Sequence, residues 1–74
     1  MKKFEFIKDG YEIVINILVN IQNENTKYVE ADAYYKDFGK YRILVLADSV
    51  EKAVEVATYE LLTNHPFEKI IIDY

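Results

Sequence analysis

The feature that most constrains this chain is a long alternation of period two. From Tyr11 the odd positions read Tyr11, Ile13, Ile15, Ile17, Val19 and Ile21, and the even ones Glu12, Val14, Asn16, Leu18, Asn20 and Gln22. A β-strand points successive side chains to opposite faces, so this run predicts a strand with one dry aliphatic face. A helix would spread the isoleucines round all sides and bury Asn16 and Asn20.

A strand with one dry face needs partners and a cover. Lys3–Lys8 also alternates, with Phe4 and Phe6 on one side, and Asp9-Gly10 separates it from the long run. Asp-Gly suits the positive φ angles of a two-residue hairpin turn, so the first two strands should pair tightly. Gln22–Asn25 is polar and Asn-rich, which marks the next turn. Thr26–Lys36 reads as a third strand, with Val29, Ala31, Ala33 and Tyr35 inward and Tyr28, Glu30, Asp32 and Tyr34 outward. Asp37–Lys40 predicts a further turn, and Tyr41–Ala47 a nearly continuous apolar strand.

The cover is a helix. Asp48 or Ser49 can cap it, and Val50, Val54, Ala57 and Leu61, flanked by Ala53, fall on one stripe at 100° per residue. Asn64 and Pro66 close it. Glu68–Tyr74 predicts a last strand, parallel to the fourth, lying beside the fourth or antiparallel beside the first. The expected fold is α+β: a single, mostly antiparallel five-stranded sheet with one helix on one face, in the order β-β-β-β-α-β. Residues 1–74 should form one domain, since a chain of 8.7 kDa buries only about 60% of its unfolded surface and supports one small core.

Composition removes several function classes. There is no Cys, hence no disulfide scaffold, thiol nucleophile or cysteine metal site. The lone His65 sits in the turn Asn64-His65-Pro66, and Ser49 is explained by capping, so no metal site, cofactor or catalytic group is expected. Thirteen acidic residues against nine basic ones give a net charge of −4, with the basic residues scattered. Direct nucleic-acid binding, which needs a basic patch, is not expected. The near-apolar run from Ile13 to Ile21 is too short for the ~20 residues of a membrane span, and Glu5, Lys8 and Asp9 interrupt any leader-like start. An intracellular, cytoplasmic address is the expectation.

One helix covers one face of such a sheet. The other face should carry Val14, Leu18, Tyr28, Tyr34, Leu44 and Leu46, and these are the candidate partner-binding residues. Seven tyrosines exceed what so small a core can hold, and tyrosine provides large contact area with a polar tip. The expected function is a non-catalytic protein-binding module acting as a stoichiometric inhibitor or adaptor, its partner being another protein or, in a homodimer, a second copy of the chain. The alternative is an acidic mimic of nucleic-acid phosphate, of the anti-restriction or anti-CRISPR type, using Glu24, Glu30, Asp32 and Asp37. A small enzyme is a remote third, because the core leaves little room for a pocket of ~300 Å³ or more.

Overall fold

The structure, a computed structural model, describes residues 2–64. Four strands, β1 (Lys2–Lys8), β2 (Tyr11–Gln22), β3 (Lys27–Tyr35) and β4 (Phe38–Ala47), form an antiparallel meander in sheet order β1-β2-β3-β4. Helix α1 (Val50–Asn64) follows and lies on one face. The α+β class and the antiparallel sheet agree with the sequence. The expected fifth strand, Glu68–Tyr74, lies outside the described residues.

The β1–β2 hairpin closes as its turn chemistry requires. Asp9 has φ 53° and Gly10 φ 85°, so both turn residues are left-handed, and Lys8 pairs with Tyr11 across them. From there Phe6 meets Ile13 and Phe4 meets Ile15. At the other end of β2, Asn23 N–H donates to Thr26 C=O at 2.7 Å in the turn to β3.

The core is the space between α1 and the sheet. Ile13, Ile15, Ile17, Val29, Ala31, Ala33, Tyr35 and Val45 from the strands meet Ala53, Ala57 and Leu61 from the helix. Four of these contacts are alanine, two on β3 and two on α1, and all four are fully buried. Such short side chains take up little room between helix and sheet. The helix backbone packs against β4, β3 and β2 but not against β1. Tyr35 closes the core near the helix end: its ring meets Tyr11 edge-on at 5.5 Å, and its hydroxyl donates to Leu61 C=O at 3.2 Å. At the other end Ser49 caps α1, its Oγ accepting from Lys52 N–H at 3.1 Å.

Two features differ from the sequence reading. The dry face of β2 does not run its full length. Ile17 pairs with Ala31 but Val19 pairs with Glu30, so Leu18 is the extra residue of a β-bulge. The bulge shifts the alternation by one place. Val19 and Ile21 therefore share a side with their partners Glu30 and Tyr28, away from the helix, and Ile21 is exposed. The second difference is the β3–β4 turn, which is Lys36-Asp37. β4 starts at Phe38, three residues earlier than expected, and an irregularity at Tyr34/Tyr35 absorbs the change of register.

Candidate functional site: the open face of the sheet

Side chains that share a register row share a face, so the face opposite α1 can be built from the pairings. One row runs Glu5, Val14, Tyr34, Arg42, and the next Lys3, Asn16, Asp32, Leu44. Beyond the bulge come Val19, Glu30, Leu46 and then Ile21, Tyr28. Leu18 shares the place opposite Glu30 with Val19, as the extra residue of a bulge does.

The two halves of this face differ in chemistry. One half is a polar band that satisfies itself. Asn16 Nδ2 donates to Asp32 Oδ1 at 3.1 Å, and Arg42 reaches the other carboxylate oxygen at 3.5 Å. The Arg42 guanidinium also lies over the Tyr34 ring, 4.5 Å from its centroid. Lys3 pairs with Glu5 at 3.4 Å. The other half is apolar: Leu18, Val19, Ile21, Leu44 and Leu46 surround the Glu30 backbone position. Leu44 is 60% exposed and Leu46 59%. Glu30 accepts a hydrogen bond from the Tyr28 hydroxyl. That bond, with burial and the nearby negative charge, raises the Tyr28 phenol above its ordinary pKa of 10.0.

Of the six partner-binding candidates, Leu18, Leu44 and Leu46 are exposed, and Tyr28 and Tyr34 half-buried. Val14 is a correction. It faces the open side but is 2% exposed, lying in the row between Glu5 and Tyr34, so it offers no contact area. Val19 and Ile21 were missed, since nothing local in the sequence announces the bulge that turns them outward.

The four acids of the charge-mimic alternative are spread along β3. Glu24 lies in the turn before it and Asp37 in the turn after it, at opposite ends of the sheet, with Glu30 and Asp32 between them. Asp32 is already engaged by Arg42 and Asn16.

A second concavity was not expected. Because α1 stands off β1, a groove of about 680 Å³ opens between them, lined by Phe6, Val54, Tyr59 and Leu62 with Lys8 and Asp9 at one end. The sequence reading expected little room for a pocket of ~300 Å³ or more, and this open groove is larger than that. The helix shows its partly apolar flank here. Tyr59, 66% exposed, borders this groove together with Val54 and Leu62. Among the described residues no group of three His, Cys, Asp or Glu side chains could hold a metal ion, and no helix is long and apolar enough to cross a membrane. No protein-family model matches the sequence, and neither a curated protein nor a solved structure matches it.

Proposed function

We propose that this chain is a small non-catalytic protein-binding module that works by occupying a partner's surface, as a stoichiometric inhibitor or adaptor. The open face of the sheet is the contact surface, and the partner is another protein or a second copy of the chain. One observation carries the reading: Leu44 and Leu46 on β4 stand about 60% exposed on the same face as Leu18 and Ile21 of β2, with Tyr28 and Glu30 of β3 between them. Apolar side chains gathered on one face favour burial against a partner, whereas singly scattered ones need no explanation. The neighbouring Tyr28, Tyr34 and Arg42 are of the residue types enriched in protein interfaces.

The test compares partner capture and sedimentation for the wild type, for the double variant Leu44→Lys/Leu46→Lys, and for Lys52→Glu on the exposed side of α1 as control. The reading expects the double variant alone to lose its bound partner or its self-association while keeping its circular dichroism. A wild-type chain that stays monomeric and partner-free, or a double variant that binds as the wild type does, overturns it.

A further inference from the structure

The groove between α1 and β1 has a particular shape. One wall is the helix flank of Val54, Thr58, Tyr59 and Leu62. The floor is Phe6 of β1, and β1 is an edge strand. Along that edge the outward N–H and C=O groups belong to alternate residues. Phe4 and Phe6 pair with Ile15 and Ile13 in the hairpin phase set by the Lys8–Tyr11 closure, so their polar groups face β2. Those of Lys3, Glu5 and Ile7 face away from the sheet. An uncovered edge beside an apolar groove is a template for one more strand.

We propose that the occupant is the chain's own segment 68–73, laid antiparallel along β1. Three observations point to it. The first is position: Leu62 and Thr63, in the last turn of α1, line the groove, so the helix ends beside it. The second is length and pattern. Six extended residues span about 20 Å, close to the roughly 23 Å of seven-residue β1. Ile70, Ile71 and Ile72 guarantee in either phase that an isoleucine enters the groove. On the open side of β1, Ile7 is 69% exposed, so an isoleucine of the opposite phase would also have an apolar neighbour.

The third is handedness. Glu12, on the open face, accepts from Lys36 N–H at 3.0 Å, so its polar groups face β3, and those of Ile13, under the helix, face β1. In a strand of L-residues running upward with a side chain toward the viewer, that residue's N–H and C=O point right. Seen from the helix side with β2 upward, β1 therefore lies to the right of β2, and the order from the left is β4, β3, β2, β1. β4 also runs upward. A chain that leaves β4, crosses in front as α1 and returns upward on the right, beside β1, makes a right-handed crossover. A return on the left of β4 makes a left-handed one. Crossovers between parallel strands of one sheet are right-handed almost without exception. The placement beside the fourth strand that the sequence allowed is thereby disfavoured by chirality.

The test is residue-resolved amide hydrogen exchange on the full chain at two concentrations, tenfold apart. The proposal expects Glu5 and Ile7 amides to be slowed about tenfold or more, equally at both concentrations, because a bonded amide must open before it exchanges. It expects Leu44 and Leu46, whose amides point outward from β4, to stay fast. In the double variant Ile70→Pro/Ile71→Pro one of two successive prolines removes a donor aimed at β1. Glu5 and Ile7 should then become fast while Phe4 and Phe6 stay slow. Protection at Leu44 and Leu46 instead, protection at Glu5 and Ile7 that grows with concentration, or fast exchange at Glu5 and Ile7 in the wild type would each overturn the proposal. These would mean, in turn, pairing beside β4, a second copy on the edge, and a vacant groove.

Discussion

Replacing Ile15 and Leu44 separately by alanine measures whether the sheet has one covered face and one bare one. Ile15 is fully buried between β2 and α1, with no exposed surface. Its truncation removes the transfer energy of the deleted carbons and leaves a hole that the packed core only partly fills. The expected cost is about 2–5 kcal/mol. Leu44 is 60% exposed. Only the covered 40% of its side chain contributes to the isolated fold, and full burial of a leucine is worth about 1.5–3 kcal/mol, so its loss costs about 1 kcal/mol. No cavity forms, because the site is open to water. A domain of this length is stable by roughly 4–11 kcal/mol, and urea acts on it with a slope near 1 kcal/mol per molar. Ile15→Ala should therefore lower the unfolding midpoint by about 2–5 M, or abolish the transition, while Leu44→Ala shifts it by about 1 M or less. Urea titration followed by circular dichroism reads both. Equal shifts would mean that Leu44 is covered in solution by part of its own chain, and the bare-face reasoning would fall. A concentration-dependent shift for Leu44→Ala would show instead that a second copy covers it.

Three further outcomes follow from particular contacts. Gly10→Ala adds a Cβ that meets nothing within 4 Å, so its cost is the φ of +85° alone. It should destabilise the hairpin by about 1–2 kcal/mol, read by the same titration. Tyr35→Phe removes the hydrogen bond to the Leu61 carbonyl at 3.2 Å and keeps the ring against Tyr11. The expected loss is about 1 kcal/mol, with exchange of the last helical turn accelerating first. Burial, then the neighbouring Tyr11, raises the Tyr35 phenol, and Tyr28 is raised chiefly by its bond to Glu30. A folded pKa above the unfolded one means that folding favours the protonated phenol. That stabilisation is complete below pH 10 and is lost as pH climbs through the raised values. Phenolate absorbance should show late ionisation from Tyr28 and Tyr35, and Tyr28→Phe should remove the part that belongs to Tyr28.

Much of this fold is legible in single residues because the deciding physics is local. Asp9-Gly10 alone specifies a left-handed two-residue turn, and Ser49 specifies where the helix starts; the stripe Val50, Val54, Ala57 and Leu61 gave its buried side only in part, since that side centres on Ala53, Ala57 and Leu61 while Val54 borders the groove. The open face was legible too, in Leu18, Tyr28, Tyr34, Leu44 and Leu46, because alternation assigns sides once the covered side is known. Val14 was misjudged because facing the open side says nothing of what its neighbours in the row conceal.

What local chemistry determined, then, is the kind and order of the elements among the described residues and the phase of the strands, that of β2 as far as Ile17. The tertiary structure decided the rest. One unpaired residue at Leu18 turned Val19 and Ile21 from the covered side to the open one, and no sequence signal marks it because a bulge arises from pairing between strands. The four alanines at 31, 33, 53 and 57 are fully buried where α1 meets the sheet, and the helix packs against β4, β3 and β2, leaving a groove beside β1. Alanine is readable in a sequence, but which alanines meet is settled only when a helix and a sheet from distant parts of the chain come together.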